Sequence, residues 1–327
     1  MTAAETTTLI RLRPAGAPPR HFLDLDAMAT SDLRAMLDFA HALKARRRAG
    51  IRPPLLAGRT LAMIFEKPST RTRVSFEVGM NELGGSALII SPQDSQLGRG
   101  ETIADTARVL SQYVDAIMIR CHAHETLEDL AAHATVPVIN GLTRHSHPCQ
   151  LMADLMTLEE RWGAGGLAGR RIAWVGDGNN MCTTFMQAAV HFGFELTVAC
   201  PAAYQPAPSI AEAARARGAR IRVGTDIADA VTGADCVVTD TWVSMDSKDA
   251  EARQRDFPAY QVNDAVMAMA APGAVFMHCL PAHRGEEVTD AVMDGPASVV
   301  FEEAGNRLHA QKAVLAWCLD VMEPVND

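Results

Sequence analysis

Hydrophobic residues along this chain follow two spacings, short continuous apolar runs and repeats of three or four positions. The continuous runs are typical of buried strands, whereas the longer repeats, such as the one from 32 to 48, are typical of helices. Strands are predicted at 60–65, 87–90, 116–119, 136–139, 172–175, 196–199, 221–223, 236–239 and 274–277. Because helical segments alternate with these strands, the pattern predicts an α/β fold with mostly parallel sheets.

The same alternation occurs twice, which predicts two domains. We expect a first domain over 1–150 and a second over 151–308, each a doubly wound, mostly parallel sheet flanked by helices. A predicted helix at 151–162 joins the two domains. A second helix, predicted at 310–322 within the C-terminal segment 309–327, returns to the first domain.

The net charge of the chain limits the classes of partner that it is expected to bind. The chain has 39 acidic and 30 basic residues, a net charge of −9, which disfavours nucleic acid and anionic membranes as partners. The longest apolar stretch, 265–282, contains Pro272 and Gly273 near its middle. It therefore predicts a helix followed by a strand rather than a membrane span.

Cysteine usage indicates the compartment. The seven cysteines are scattered singly, without a pair spaced for a zinc ribbon or a disulfide framework. Residues 1–20 contain no apolar segment of signal-peptide type. We therefore expect a cytoplasmic protein.

A polar turn at 68–73 is the first candidate for ligand binding. It lies between a predicted strand and a predicted helix, where free backbone N–H groups and the helix dipole favour an anion. It adds the hydroxyls of Ser69, Thr70 and Thr72 and the guanidinium of Arg71, groups that suit a phosphate. An ordinary helix cap followed by solvated arginines is the alternative. A nucleoside triphosphate loop is excluded because no Gly-Lys pair occurs.

A second turn, at 176–181, resembles the start of a dinucleotide site. However, Met181 replaces the third glycine, and the next strand ends at Cys200 without the acid that binds ribose. The turn instead presents Asn179 and Asn180 at a strand end, where one amide can bind a substrate carboxylate.

Two further strand ends carry Asp240 and Cys279 at the same edge of the second sheet. An aspartate there can hold an ammonium group, and a cysteine beside it can tune the protonation of an amine or act as a nucleophile. Burial of Cys279 as a small apolar side chain is the alternative. The sequence does not choose between these interpretations.

Histidines near the middle of the chain suggest hydrogen bonding rather than metal binding. His145, His147 and Cys149 alternate, but no second half of a tetrahedral site follows at a suitable spacing. His147 with Gln150 is better interpreted as a pair of hydrogen-bond donors. We expect no metal and no cofactor.

Taken in order, seven motifs resemble those of the aspartate/ornithine carbamoyltransferase family. They are Phe65-Glu-Lys-Pro-Ser-Thr-Arg-Thr-Arg73, Leu97-Gly-Arg-Gly-Glu-Thr-Ile-Ala-Asp-Thr106, His147-Pro-Cys-Gln150, Gly176-Asp-Gly-Asn-Asn180, Asp240-Thr-Trp-Val-Ser-Met245, His278-Cys-Leu-Pro281 and Glu303-Ala-Gly-Asn-Arg307. The resemblance extends from about 22 to 322 and implies an enzyme that needs no cofactor.

The resemblance also implies site residues. Carbamoyl phosphate would be bound by Ser69, Thr70, Arg71, Thr72, Gln96, Arg120, His147, Gln150, Cys279, Leu280 and Arg307. Ornithine would be bound by Asn180, Asp240, Ser244 and Met245. Catalytic roles would belong to Arg120, His147, Asp240 and Cys279. Family members form homotrimers in which a loop of the neighbouring subunit, 95–101 here, completes the site.

The second-domain motifs resemble those of family members that use ornithine. Transfer of the carbamoyl group of carbamoyl phosphate to the side-chain amine of L-ornithine, giving L-citrulline and phosphate, is the expected reaction, in arginine biosynthesis. Aspartate would need extra cations in the second domain, whereas Asp240 suits an ammonium group. Acetylated ornithine and putrescine are weaker alternatives, and Asp246 departs from the glycine of many ornithine-using members. An oxidoreductase built on the 176–181 turn and a binding protein without catalysis are alternatives of other classes.

Overall fold

Nine parallel strands form two sheets in the part of the chain that the computed structural model describes, residues 18–91, 100–243 and 249–322. Those of the first domain are β1 (Thr60–Phe65), β2 (Ser86–Ile90), β3 (Ala116–Arg120) and β4 (Val138–Leu142). Their order across the sheet is β2-β1-β3-β4. Those of the second domain are β5 (Arg171–Val175), β6 (Glu195–Ala199), β7 (Arg220–Gly224), β8 (Cys236–Thr239) and β9 (Val275–His278). Their order is β7-β6-β5-β8-β9.

Helices connect and cover these strands, as parallel pairing requires. The helices of the first domain are α1 (Thr30–Arg48), α2 (Thr70–Glu82), α3 (Ile103–Leu110) and α4 (His124–His133), and the helix that links the two domains is α5 (Pro148–Trp162). Those that follow are α6 (Asn180–Phe192), α7 (Pro208–Ala216), α8 (Ile227–Val231), α9 (Ala250–Asp256), α10 (Asp264–Met269), α11 (Asp290–Met293) and α12 (Val300–Cys318). Short 3₁₀ turns occur at Leu25–Ala27, Ala202–Tyr204 and Pro258–Tyr260.

The predicted fold class, two doubly wound α/β domains, is confirmed. The apolar stretch 265–282 forms α10 and then β9, as Pro272 and Gly273 predicted. Among the described residues, no helix combines the length and the apolar character needed to cross a membrane.

The last helix differs from its prediction. It was expected at 310–322, but α12 begins ten residues earlier, at Val300, and ends at Cys318. Its first turns carry charged residues, including Glu303 and Arg307, that are buried rather than exposed. The pattern of apolar positions therefore does not predict this half of the helix.

Two helices hold the domains together. Helix α12 packs against α1, α2 and α5, and α5 also packs against α6 in the second domain. The largest apolar cluster contains side chains of both domains, including Phe76 on α2 and Trp174 on β5. The carboxyl ends of the two sheets are thereby fixed next to α5 and α12.

Candidate active site

The predicted anion site lies at the N-terminus of α2. Ser69 is the N-cap residue, but its side chain makes no capping hydrogen bond, so it is not an ordinary cap. Thr72 is fully buried in the first turn, Arg71 is half-buried and Thr70 is exposed. The exposed Arg73 lies 3.9 Å from Glu77 on the outer face of the helix. The helix therefore presents its free N–H groups with Arg71, not with Arg73.

Three arginines from different elements gather at this helix end. Arg120 ends β3, and Arg307 on α12 donates from Nη2 to Thr72 Oγ1 at 2.8 Å. Burial, together with the charges of Arg307 and Arg71, lowers the pKa of Arg120 to about 10. Among the described residues no carboxylate forms an ion pair with any of the three. The cluster therefore carries excess positive charge that suits a ligand with several negative oxygens.

His147 lies beside the arginines as the N-cap residue of α5. Its backbone N–H donates to Thr184 Oγ1 at 2.9 Å, which fixes the start of α5 against α6. Burial and the charges of Arg307, Arg120 and Arg71 lower the pKa of His147 well below its usual value. Its Nδ1 is buried without a hydrogen-bond partner in the described part of the chain. The ring is therefore neutral at pH 7.

Gln150 does not have the role that the sequence suggested. Its Nε2 donates to Asp154 Oδ1 at 2.8 Å and to Glu303 Oε1 at 3.0 Å. Both N–H bonds are thus occupied, and the prediction of Gln150 as a donor to a ligand is wrong. Its Oε1 is buried and has no partner among the described residues, so it is an acceptor.

Asp240 is at the centre of the second-domain half of the site. Its Oδ1 accepts from the Thr241 backbone at 2.8 Å and from Cys279 Sγ at 3.3 Å, and its Oδ2 accepts from Asn179 Nδ2 at 2.7 Å. Burial and the charge of Asp240 raise the pKa of the Cys279 thiol well above its usual value. Cys279 is therefore a protonated donor to Asp240, which disfavours its interpretation as a nucleophile.

The two asparagines of the β5–α6 turn have different roles. Asn179 caps α6, accepting from Met181 N and Cys182 N, and its amide faces Asp240. Asn180 donates from Nδ2 to the backbone oxygen of Thr143 at 2.7 Å, a contact between the two domains.

The same turn leaves no room for a dinucleotide. Gly178 donates its N–H to Tyr204 O at 2.9 Å, and a Cβ on Gly178 would lie 2.3 Å from Pro206 N. The 204–206 backbone thus covers the position where a pyrophosphate would lie. This disfavours the oxidoreductase interpretation.

Leu280 has a left-handed backbone conformation, with φ at +57°. Its N–H donates to His278 Nδ1 at 2.9 Å, and His278 Nε2 lies 3.2 Å from Glu287 Oε1. Such conformations are unfavourable for a leucine by about 1–2 kcal/mol and are concentrated at functional sites. Asp240, His278 and Cys279 lie close enough together to share a metal ion, but both His278 nitrogens are engaged. The absence of a metal remains a prediction.

The structure thus brings the described candidates together from both domains. Cys279 is close enough to Arg120 and Arg307 to influence the pKa of both. Gln96, Ser244 and Met245 lie outside the described residues, as does Asp246. A wide groove of about 550 Å³ between α1, α2 and α12 contains Thr70 and Arg71 but no other member of the cluster.

Some site residues were missed by reasoning from residue types alone. Arg120 and Arg307 were identified only by resemblance, because a lone arginine gives no sequence signal. Asp154 and Glu303 were not singled out at all. The spacing of four between Gln150 and Asp154 on a predicted helix is a signal that could have found the first of them.

Comparison with protein families matches both domains. Residues 20–160 match the carbamoyl-P binding domain of aspartate/ornithine carbamoyltransferase, and residues 168–318 match the Asp/Orn binding domain. Together these matches cover most of the chain.

Individual relatives are similar along nearly their whole length. The chain is 61% identical over 304 residues to an ornithine carbamoyltransferase of Rhodopseudomonas palustris, covering 92% of this chain and 97% of the relative. An ornithine carbamoyltransferase of Nitrobacter winogradskyi is 61% identical over 302 residues, with the same two coverages. Among solved structures, that of ornithine carbamoyltransferase from Pyrococcus furiosus has a TM-score of 0.89 at 49% identity, covering 94% of this chain and 99% of the other.

Proposed function

This chain belongs to the aspartate/ornithine carbamoyltransferase family, and on that basis we propose a function for the site between its domains. It is an enzyme that transfers the carbamoyl group of carbamoyl phosphate to the side-chain amine of L-ornithine, giving L-citrulline and phosphate. The observation that carries this proposal is that the two sides of the site have opposite charges. Arg71, Arg120 and Arg307 lie without carboxylate partners among the described residues, while Asp240 lies at the opposing sheet edge.

Carbamoyl phosphate binds at the first domain. Its phosphate is held by the start of α2, through Ser69, Thr70, Arg71 and Thr72, with help from the helix dipole and Arg307. Arg120 and His147 bind the carbamoyl oxygen, and Gln150 binds the carbamoyl amide. Binding the anion offsets the repulsion among the three arginines.

Ornithine binds at the second domain. Asp240 holds an ammonium group, and Asn180 contacts the amino-acid end together with Ser244 and Met245, which lie outside the described residues. Cys279 and Leu280 lie beside the reacting carbon. The hydrogen bonds to Asp240 from Thr241, Cys279 and Asn179 hold its carboxylate in one orientation.

The reaction needs a neutral amine. An amine of pKa about 10.4 is only about one part in 10³ neutral at pH 7, a handicap of roughly 4–5 kcal/mol. The thiol of Cys279 stays protonated because its pKa is raised, so it adds no negative charge that would favour the ammonium form. The three arginines nearby favour loss of the ammonium proton, since a further positive charge is unfavourable beside them.

The amine then attacks the carbamoyl carbon, and negative charge develops on the carbamoyl oxygen. Arg120, the neutral ring of His147 and Thr72 are the donors positioned to stabilise it. When the C–O bond to phosphate breaks, the surplus proton of the attacking nitrogen passes to the leaving phosphate, which Arg71, Arg307 and the α2 N-terminus hold.

A homotrimer with sites at subunit interfaces is part of the proposal. Three exposed apolar side chains, Leu88 on β2 and Val109 and Tyr113 in and after α3, support an interface. Along the chain they lie on either side of 92–99, the segment that contains Gln96. We further propose the domain division 1–150 and 151–308 with 309–327 returning, a cytoplasmic location in keeping with seven singly scattered cysteines, and a role in arginine biosynthesis.

Product analysis with parallel acceptors tests the function. Purified protein is given carbamoyl phosphate with ornithine, aspartate, acetylornithine or putrescine, and the products are separated and quantified. We expect citrulline from ornithine and no product from the others. Carbamoylaspartate instead would mean that the second-domain assignment is wrong.

Matched variants connect the activity to this site. Arg71→Ala and Asp240→Ala should abolish citrulline formation while remaining folded by circular dichroism. Arg73→Ala, two residues from Arg71 on the outer face of α2, should retain activity. Equal loss in Arg71→Ala and Arg73→Ala would contradict the placement of the phosphate.

A further inference from the structure

Behind the candidate site lies a pair of buried acids that the proposed reaction leaves unused. Asp154 on α5 and Glu303 on α12 are each 1% exposed, and they are hydrogen-bonded to each other. Gln150 joins them, donating from Nε2 to Asp154 Oδ1 at 2.8 Å and to Glu303 Oε1 at 3.0 Å. The second oxygen of Glu303 accepts the backbone N–H of His278 at 3.1 Å. Every member of this network is buried.

Hydrogen-bond geometry requires one proton on the pair. Without a proton, two neighbouring carboxylates would repel each other in a region of low dielectric. With one proton, a single O–H joins the acids, and Gln150 and His278 still find acceptors. A second proton would occupy a carboxyl oxygen that accepts a hydrogen bond from Gln150 or His278, and that N–H would then lack its acceptor.

The surroundings favour the state with one proton near neutral pH. Burial raises the pKa of Asp154 to about 7 and that of Glu303 well above its usual value. Asp154 raises the pKa of Glu303 further, whereas the hydrogen bond from Glu303 lowers that of Asp154, so the first proton resides on Glu303. Arg307 lowers both values, while Asp240 raises that of Asp154. The thiols of Cys236 and Cys279 face the pair as neutral groups because their own pKa values are raised.

We propose that Asp154 and Glu303 are positioning residues that make Gln150 a hydrogen-bond acceptor for the amide of the carbamoyl group. The proposal rests on the proposed function, because it takes carbamoyl phosphate as the ligand. The acids hold both N–H bonds of Gln150, so the ligand meets its Oε1, a buried acceptor without a partner among the described residues. An N–H group of the ligand satisfies that oxygen, whereas a methyl group does not.

The proposal therefore concerns selectivity between carbamoyl and acetyl groups. Acetyl phosphate has the phosphate and carbonyl of carbamoyl phosphate, but a methyl group replaces its amide nitrogen. The measured quantity is the ratio of the inhibition constant of acetyl phosphate to the KM of carbamoyl phosphate, at saturating ornithine. Because both ligands are acyl phosphates, effects on phosphate binding cancel in this ratio.

Amide substitutions test whether the pair of acids carries one proton. Asp154→Asn or Glu303→Gln alone supplies one fixed N–H between the two side chains and leaves one acid ionised, so the selectivity ratio should fall by less than about tenfold. The double substitution supplies two donors and should lower the ratio by on the order of 10- to 100-fold, more than the product of the single effects. Asp229→Asn, which removes an exposed carboxylate on α8, is the control.

The wild-type enzyme provides a test that needs no variant. Below the pKa of about 7, Asp154 takes up the second proton, so the selectivity ratio should fall by about tenfold between pH 8 and pH 6. His147 cannot cause this change, because its pKa is well below that range. If the variants do not fold, this pH dependence by itself tests the proposal.

Two results would overturn the proposal. One is a selectivity ratio that is constant with pH in the wild type. The other is a double variant whose KM values for ornithine and carbamoyl phosphate rise together at unchanged selectivity, as a merely structural role would produce. Citrulline formation by the wild type in the same assays tests the proposed function separately, so the two failures are distinguishable.

Discussion

His147 is a neutral imidazole held among three arginines. Burial and the surrounding positive charge lower its pKa, so it donates or accepts a hydrogen bond without carrying charge. A protonated imidazole would add a fourth cation beside Arg71, Arg120 and Arg307. The ring is therefore suited to stabilise a developing oxyanion as a fixed donor rather than to act as a general acid that cycles its proton.

Removal of this donor should slow the chemical step. We expect His147→Ala to lower kcat by about 10² to 10³, because losing one preorganised donor to an oxyanion typically has that effect. KM for ornithine should change little, since His147 lies in the first-domain half of the site. Steady-state kinetics of citrulline formation measure both quantities.

His133, partly exposed on α4, provides the matched control. His133→Ala should retain the wild-type kcat. If His147 instead worked as a charged acid, the wild-type kcat would titrate near pH 6.5, and a pH profile without that ionisation would contradict such a role.

At the scale of secondary-structure elements, helix ends and strand ends position the site. The α2 N-terminus faces the proposed phosphate position, the β8 and β9 ends carry Asp240 and Cys279, and the β5–α6 turn orients Asn179 and Asn180. That turn is held by the close approach of Gly178 to Pro206. A side chain at 178 would displace the turn, because the contacting atoms belong to the backbone.

Gly178→Ala should therefore weaken ornithine binding. We expect KM for ornithine to rise by about tenfold, as the loss of one well-placed hydrogen bond implies, while KM for carbamoyl phosphate stays close to that of the wild type. Gly224→Ala on β7, where a Cβ meets no atom within 4 Å, is the control. A parallel rise of both KM values in Gly178→Ala would contradict a local effect.

A buried ion pair joins the elements behind the phosphate site. Lys312 on α12 donates to Glu82 Oε2 at 2.9 Å, and Arg47 on α1 donates to Glu82 Oε1 at 2.7 Å. Lys312→Met should lower the free energy of unfolding by about 3 kcal/mol, because it leaves a buried carboxylate with one partner fewer. Urea denaturation measures the change.

A second substitution tests this explanation. Adding Glu82→Leu to Lys312→Met removes the unpaired carboxylate, so the double variant should be more stable than the single one. Arg222→Met, which breaks an exposed pair with Asp229, should change stability by less than about 1 kcal/mol. A double variant less stable than Lys312→Met would show that the loss comes from packing.

The sequence pattern predicted most elements because of how they are buried. An element buried on one face has a periodic apolar pattern, and an element buried on all sides has a continuous apolar run. Strands β1 and β8 have the predicted bounds, since a continuous apolar run ends where a polar turn begins. The first half of α12 was missed, because Glu303 and Arg307 are charged yet buried. The direction of the Gln150 amide could not be predicted either, because it depends on acids one turn and about 150 positions away.

At the scale of the whole molecule, the site needs both domains, and we propose that it also needs a neighbouring subunit. The β3 and β4 ends supply Arg120 and His147, the second sheet supplies Asp240, and α12 brings Arg307 back to the first domain. The backbone of His147 and the side chain of Asn180 make direct hydrogen bonds across the domain boundary. A change of angle between the domains therefore moves the two substrates relative to each other.

Hybrid trimers test the shared site. Gln96→Ala and Arg71→Ala homotrimers should each be nearly inactive. When the two proteins are unfolded and refolded together, a site is intact if its own subunit has Arg71 and its neighbour has Gln96. Random assembly gives this arrangement at about one quarter of the sites, so about a quarter of the wild-type activity should return.

The control for assembly is the mixture without refolding, which should stay inactive. Light scattering of the wild type should give the mass of three chains of 35.2 kDa. A fully active monomer, or no recovery in refolded mixtures, would contradict a site shared between subunits.

The position of Arg307 on the last helix has a consequence for how the enzyme is made. Residues 300–318 leave the ribosome after both sheets, whose strands can then already pair. The third arginine of the proposed phosphate site and one acid of the buried pair therefore arrive after both sheets. A chain cut short before α12 has its earlier motifs but lacks Arg307, so premature termination yields a protein in which the proposed site for carbamoyl phosphate is incomplete.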